Sequence, residues 1–522
     1  LDPDLKHILQ QYWQGVNQYE SELRDFGQLV GQEAYEIADH VDQNPPDLIM
    51  HDINGIRVDR ARLDPAHSEL LQTLAPMNRV PYEGGSWHHH FALGFLLADP
   101  GLYCTLIVTN QTAYALYKYA PDQEHWVEEI LSGKAWGATW MTETQGGSDL
   151  GANTTEARKE NGDWRLFGTD KYFASNAGIA DLALVTARPE GGQPGPKGLA
   201  LFLVPRLDQQ GHLNYHVRRF KKKIATRAVP TGEVEFEGSE AYLVGEEAKG
   251  IYYTLETLTV SRLANAIGAM GLARKANLEA LYRVKARTAF GQPLIEHPLV
   301  RNDLTDMAVR IAGGTALIFH TVNAFDLSWK DEPPYSDSYH YARFLSHLVK
   351  NRTADHIAVV TQLAMELFGG LGFLDEYAIA RFHREGLVTP IWEGSSNIQA
   401  LDMLEVMGKK GAHEAFVDEM HSLLSGEETE KRFARSKLKE TLDHLGSLDP
   451  GSAQWYSKHA LATLADIAQV ALLFQLSESP GHRYEKLARL YCIKFLKHEP
   501  YPDWALQEAE IWCPLQDECF ET

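Results

Sequence analysis

Apolar positions recur every three or four residues through the first 135 or so residues, with polar breaks between them. That period predicts helices. One covers 68–74, ahead of a loop around Pro81, and residues 91–97 form an apolar, helix-favouring run. The stretch closes at Leu131-Ser132-Gly133. From about 138 to 245 the texture changes. Asn161-Gly162-Asp163 precedes Trp164-Arg165-Leu166-Phe167, and further β-rich runs cover 181–186, 198–204 and 232–236. Short runs bounded by Gly, Asn and Asp predict a small antiparallel sheet or barrel. From about 250 to 408 the helical period returns. Leu255, Leu258, Leu263, Ile267, Met270, Leu278 and Leu281 form one stripe with no Pro before Pro293, and 341–367 is similar. Asp331-Glu332-Pro333-Pro334 marks a surface loop between them. Residues 411–522 read as helix again, with an acidic knot of linker character at Glu427-Glu428-Thr429-Glu430. Helices do not alternate with the strands, which argues against a parallel α/β fold. The expectation is α+β with segregated layers, divided at 1–137, 138–247, 248–410 and 411–522.

Of 522 residues, 44% are hydrophobic and 23% charged, the composition of a globular chain. The 49 Lys and Arg face 71 Asp and Glu, a net charge of −22. That is the wrong sign for a surface that binds nucleic acid or anionic membrane as a whole. Cysteines at 104, 492, 513 and 519 form no CxxC pair and no disulfide framework. They predict a reducing compartment and no structural zinc or other metal site. No uninterrupted apolar run reaches the ~18–20 residues that cross a bilayer. The opening LDPDLKHILQQYW is acidic and amphipathic, without a signal-peptide core or an Arg/Ser-rich transit pattern. A cytoplasmic protein without membrane association is expected.

The chain has no HExxH, P-loop or GxSxG motif, and no GxGxxG after a strand. His88-His89-His90 are consecutive and so point in different directions, which favours exposed or partly packed side chains over a shared metal. The basic run Arg218-Arg219-Phe220-Lys221-Lys222-Lys223 reads as a solvated strand end or turn rather than a phosphate contact. Three other stretches carry more chemistry. Met141-Thr142-Glu143-Thr144-Gln145-Gly146-Gly147-Ser148-Asp149 joins helical to strand texture; it is a tight turn or a place where backbone N–H groups approach a phosphate or ring. Phe368-Gly369-Gly370-Leu371-Gly372-Phe373 ends a long apolar helix, as a C-cap or as a second close-approach loop. In Trp392-Glu393-Gly394-Ser395-Ser396-Asn397, one carboxylate sits in apolar company, where burial favours a base; the bland alternative is a helix N-cap.

These stretches, in this order, resemble the acyl-CoA dehydrogenase family over about residues 50–408. Met141-Thr142-Glu143 through Gly147-Ser148-Asp149 is similar to its first flavin segment, and Lys171-Tyr172-Phe173-Ala174-Ser175-Asn176 to its second. Arg287-Thr288-Ala289-Phe290-Gly291 matches its RxxFG element, Gly369, Gly370 and Gly372 its GGxG loop, and Ile391-Trp392-Glu393-Gly394-Ser395 its base-bearing segment. Within the family the AidB-like branch, linked with the response to alkylating agents, is the nearest resemblance. It shares Asn153-Thr154-Thr155, Trp392 before Glu393, Glu366 three residues before the paired glycines, and the C-terminal extension.

The resemblance implies a helical N-terminal domain, a middle antiparallel β-barrel, a C-terminal four-helix bundle with an extra helical extension, and a homotetramer with FAD at subunit borders. It implies that Glu393 is the base that takes the α-proton of an acyl-CoA thioester while flavin N5 accepts the β-hydride. Met141, Thr142, Gly147, Ser148, Phe173, Ser175, Arg287, Phe290, Glu366, Gly369, Gly370, Ser395 and Asn397 would then hold FAD. Ser148, Arg262 and Gly394 would meet the substrate. Electrons would pass to an electron-transferring flavoprotein or to oxygen. Ala289, Ala225 and Phe173 depart from residues common in the family. Residues 411–522 carry 11 Lys and Arg against 19 Asp and Glu, so the DNA-binding face proposed for that branch is not expected. The alternatives are an AidB-like flavoprotein acting on non-CoA substrates such as nitroalkanes or alkylating agents, and a DNA-associated protective protein.

Overall fold

Four helices begin with the same dipeptide among the described residues. Asp2-Pro3, Asp64-Pro65, Asp99-Pro100 and Asp449-Pro450 open Pro3–Tyr12, Pro65–Leu74, Pro100–Tyr119 and Pro450–Ser477. In each, the Asp carboxylate accepts from one or two first-turn N–H groups, at 2.9–3.3 Å. Pro then supplies the helical φ where its missing N–H costs nothing. The computed structural model describes residues 2–478 and 482–513. They form two compact units, one of residues 31–85 and 99–261, the other of residues 2–30, 86–98, 262–478 and 482–513.

The 31–85 and 99–261 unit is built around a seven-stranded sheet. Its strands follow a small hairpin, β1 (Asp47–His51) and β2 (Arg57–Arg62). The sheet comprises β3 (Gly137–Trp140), β4 (Glu156–Glu160), β5 (Asp163–Ser175), β6 (Leu182–Pro189), β7 (Ala200–Pro205), β8 (His216–Phe220) and β9 (Thr231–Leu243). The order β6-β4-β5-β9-β7 returns to β6 through the β6–β7 pairing, so five strands close a ring. Trp140, Leu166, Val185, Phe202, Tyr215 and Phe236 fill its interior. The ring is mixed rather than antiparallel, because β6 pairs in parallel with both β3 and β4. Closure abolishes the edges that an open sheet would expose.

The hairpin β1–β2 departs from the all-helical reading of the first 135 residues. Its turn is local chemistry: Asp52 Oδ1 accepts from the N–H groups of Asn54 and Ile56 at 2.8 and 2.9 Å, and Gly55 takes φ +81°. The basic run lies on and just after β8, and three of its cations meet acids. Arg219 and Lys221 both reach Glu233 Oε1, at 2.6 and 2.5 Å, and Arg218 lies 3.5 Å from Glu235.

The other unit is helical. Pro298–Ser328, Asp337–Phe368 and Ser396–Lys410 pack together with Pro450–Ser477 of the extension. A buried polar network ties that extension to the bundle. Arg352 Nε and Nη2 donate to Asp466 Oδ1 and Oδ2 at 2.6 and 2.9 Å, and Tyr491 Oη donates to Asp466 at 2.7 Å. Asp337–Phe373 and Pro450–Ser477 are long and apolar enough to cross a membrane by length and composition, although no single run is uninterrupted. The most apolar stretch of the second is 83% buried inside the fold, as in a core helix, and the burial includes Asp466 and Gln469.

His88, His89 and His90 are buried rather than exposed, because the Trp87–Leu97 helix is apolar all round and enclosed on nearly every side. His89 stacks on Trp13, and burial holds His88 and His89 below the ordinary imidazole pKa. Among the described residues no three His, Cys, Asp or Glu are grouped to hold a metal ion. Cys104 and Cys492 are in no disulfide, whereas Cys513 is disulfide-bonded. The cysteine count weighs against a framework and says nothing of a single bridge. Cys519 lies outside the described residues.

Candidate functional site

In the strand-bearing unit, the first and second flavin-like segments are neighbours. Tyr172 N–H donates to Thr142 O at 2.9 Å, and Glu143 forms a bridge with Lys171. Glu143 and Gly146 exchange backbone hydrogen bonds at 3.0 and 3.1 Å, closing a tight turn. The turn is anchored from inside. Lys171 Nζ donates to Glu143 Oε1 at 2.8 Å, and both side chains are essentially buried. The Glu143 carboxylate also accepts from the N–H and hydroxyl groups of Thr154 and Thr155, and from Gln145 Nε2. Burial by itself raises the Glu143 pKa; the Lys171 ammonium and these hydrogen bonds more than reverse that and hold it down to about 2.

The predicted residues of the two segments differ in exposure around this anchor. Met141 is buried, its carbonyl accepting from Asn153 Nδ2 at 2.6 Å. A Cβ added at Gly147 would stand 3.1 Å from Thr142 Cγ2, so glycine keeps that approach open. Ser148 is exposed; Thr142 and Ser175 are half-buried. Phe173 leaves 53% of its surface exposed, unusual for a large apolar ring, with Lys221 Nζ 5.0 Å from its centre.

The helical unit holds two further clusters. In the first, Arg287 lies beside the glycine loop: a Cβ at Gly369 would sit 3.6 Å from Arg287 Nη1, and Gly370 faces open space. Gly369, at φ +65°, also caps Asp337–Phe368, so the C-cap and close-approach readings coexist. Glu366 accepts from Gln362 Nε2 at 3.1 Å. The hairpin of β10 (Thr288–Ala289) and β11 (Gln292–Pro293) turns at Phe290 and Gly291, with φ +51° and +84°. Its tip presents Phe290 96% exposed.

The second cluster surrounds Glu393. Glu393 takes φ +58°, a left-handed conformation that costs a non-glycine residue about 1–2 kcal/mol, and Gly394 follows at φ +92°. Neighbours hold the turn there. Arg262 Nε and Gln399 Nε2 donate to Glu393 O at 3.2 and 2.9 Å. Lys350 Nζ and Gln399 Nε2 donate to Gly394 O at 2.6 and 3.0 Å. Arg262 is buried and pairs with Asp402 at 3.1 Å. Trp392 Nε1 donates to Asn265 Oδ1, and Asn265 Nδ2 to Thr389 O. Ser395 is the N-cap of Ser396–Lys410 without a side-chain cap bond, and Asn397 is exposed. Lys350, Gln399, Asn265 and Asp402 escaped the sequence reading. The one available signal was a lysine in the middle of the apolar 341–367 stripe.

Models of the acyl-CoA dehydrogenase C-terminal and middle domains match residues 248–408 and 138–239. A model of the adaptive response protein AidB N-terminal domain matches residues 1–135. Escherichia coli AidB is 32% identical over 429 residues, 76% of each chain. The chain belongs to the acyl-CoA dehydrogenase family. The structure of Caenorhabditis elegans ACDH-11 in complex with C11-CoA gives a TM-score of 0.85 at 24% identity, over 98% of this chain and 94% of that one. An acyl-CoA dehydrogenase from Bacillus anthracis complexed with FAD gives 0.75 at 18%, over 97% and 89%. At these identities the likeness is one of fold. Acyl-CoA dehydrogenases are FAD-dependent oxidoreductases, and FAD is the cofactor of this chain. The residues present suit it. One unit offers an exposed aromatic ring with hydroxyls and a glycine approach beside it. The other offers a guanidinium next to a Cβ-free loop, a donor set for a pyrophosphate.

Proposed function

We propose that the protein desaturates an acyl-CoA thioester between its α- and β-carbons, with Glu393 as the base that removes the α-proton. The observation that carries this reading is the Glu393 turn, which sets one carboxylate on a left-handed residue whose backbone is fixed by Arg262 and Gln399. A base must be within hydrogen-bond reach of its proton and cannot drift between turnovers. Removing an α-proton develops charge on the thioester oxygen, and the Glu393 N–H is the donor assigned to it. Trp392, half-buried and tied to Asn265, is the neighbour assigned to exclude water, whereas Ile391 is exposed. Bound FAD supplies the acceptor for the β-hydride.

Thr142, Ser175 and Phe173 are assigned to the flavin ring, with Met141, Gly147 and Ser148 lining its approach. Arg287, Gly369 and Gly370 are assigned to its phosphate and adenosine part, with Glu366, Ser395 and Asn397 supporting them. Ser148, Gly394 and Arg262 are assigned to the substrate. The four sequence divisions are kept as domains, and the reading carries a cytoplasmic homotetramer active in fatty acid metabolism. The nearly naked Phe290 supports that assembly, since Arg287 and Phe290 would reach a neighbouring subunit. Electrons would leave to an electron-transferring flavoprotein. DNA is not assigned as a partner, because cations of the extension are engaged by acids, among them Arg483 with Asp4 and Lys486 with Glu508 and Glu510.

The C11-CoA held by ACDH-11 supports a CoA thioester as ligand. The test is anaerobic addition of short, branched and long acyl-CoAs to the FAD-loaded protein. Bleaching of the flavin by one class is expected. A yellow protein that none of them reduces would move the assignment to a non-CoA substrate.

A further inference from the structure

Lys350 is fully buried in the middle of an apolar helix, and burying an ammonium is costly unless something answers it. Its Nζ donates to the carbonyl of Gly394 at 2.6 Å. That carbonyl belongs to the residue after the proposed base. Charged groups face Lys350 from three segments: Glu393 on its turn, Arg262 on Gly250–Ala286, and Asp355 one turn along its own helix. Arg343 and His347 lie on the same helix, and Asp402 anchors Arg262. Burial draws the Lys350 pKa down to about 7, opposed by the Glu393 charge and reinforced by Arg262. Gln399 completes the frame. Its Nε2 donates to two carbonyls, so its Oε1 accepts, and His347 Nδ1 at 2.8 Å must carry the proton. Burial and the two arginines keep that imidazole neutral.

We propose that Lys350 is a positioning residue: its Nζ pins the Gly394 carbonyl and its charge faces the Glu393 carboxylate, so the base stays in place and ionised on a strained turn. The inference rests on Glu393 being the base. Lys350 touches neither substrate nor flavin in this account. It acts through the turn.

The test is Lys350→Met in the FAD-loaded full-length chain, compared with wild type and with Glu393→Gln. Gly394 O keeps its Gln399 donor in the variant, and Met replaces a buried charge with similar volume, so folding should survive. Flavin content and Tm are expected to match wild type. The value of kcat/KM should fall about a hundredfold, mostly in kcat, as for a displaced base. The acidic limb of its pH profile should move up by about one unit, because the carboxylate loses a facing cation. Amide hydrogen exchange across 391–399 should quicken, with the rest of the chain unchanged. If Lys350→Met fails to fold, Lys350→Gln keeps a donor without the charge: the limb should still move while exchange stays near wild type. A dead Glu393→Gln beside a Lys350 variant with wild-type limb and wild-type exchange overturns the role of Lys350 alone. A Glu393→Gln that still bleaches overturns the base assignment instead, and exchange across 391–399 then decides whether Lys350 holds the turn.

Discussion

Two glutamates, each in a turn that also holds glycine, are treated in opposite ways by this fold. Glu143 is closed on every side: an ammonium, two threonine hydroxyls, two backbone N–H groups and an amide converge on its carboxylate. At Glu393 the convergence is on the backbone. Arg262, Gln399 and Lys350 bind the carbonyls of Glu393 and Gly394, and the residue itself sits half-buried in a left-handed conformation. A carboxylate whose oxygens are saturated holds structure together. A turn whose main chain is held this way fixes where its side chain starts. Charge and nearby glycines alone do not separate the two roles, and Glu143 is the more deeply buried of the two.

The contrast can be broken most forcefully at Lys171. Lys171→Met leaves Glu143 as a buried, uncompensated charge and should cost about 3–5 kcal/mol. Urea unfolding should show it, with loss of bound FAD as the turn opens. Acid should do the same more gently. The Glu143 pKa is depressed, so its contribution is present above the ordinary carboxylate range and is lost as pH falls from about 4.5 toward about 2. The unfolding midpoint of wild type should therefore drop over that window, and Glu143→Gln should remove that part of the slope. Smaller effects sharpen the flavin side of the comparison. Gly147→Ala puts a Cβ at 3.1 Å from Thr142 Cγ2 and should cost about 1 kcal/mol of stability, with weaker FAD binding on titration of the apoprotein. Gly370→Ala meets nothing within 4 Å and should change stability by less than about 0.5 kcal/mol. Its FAD affinity should nonetheless fall about tenfold, which is 1.4 kcal/mol, if that loop lies against the cofactor.

Sequence was informative where local chemistry decides the outcome. The Asp-Pro helix starts, the Asn161-Gly162 turn and the strands near 163, 182, 200 and 231 follow from neighbouring residues. The β1–β2 hairpin was also legible, since Asn54-Gly55 is a turn signal, but the helical texture around it concealed it. β8 was hidden differently: Arg218 and Arg219 look like a solvated charge run until Glu233 and Glu235 on β9 are placed beside them. The same limit applies at the sites. Motif residues such as Glu393, Gly369 and Phe173 are recognisable from their immediate neighbours. Lys350 is not, because the carbonyl it binds is 44 residues away. Lys171 pairs with Glu143 across 28 residues. Long-range partners of buried charges are a property of the fold, and the pattern along the chain carries no trace of them.

Glu393 is the proposed base, and Glu143 is a structural anchor. The direct measurement is anaerobic, single-turnover flavin reduction in wild type, Glu393→Gln and, under conditions where it stays folded, Glu143→Gln, each loaded with FAD and mixed with the acyl-CoA that bleaches wild type fastest. Glu393→Gln is expected to bind FAD, stay yellow and not bleach, while folded Glu143→Gln bleaches at a rate near wild type. Substrate-dependent bleaching of Glu393→Gln at the wild-type rate would contradict Glu393 as the base.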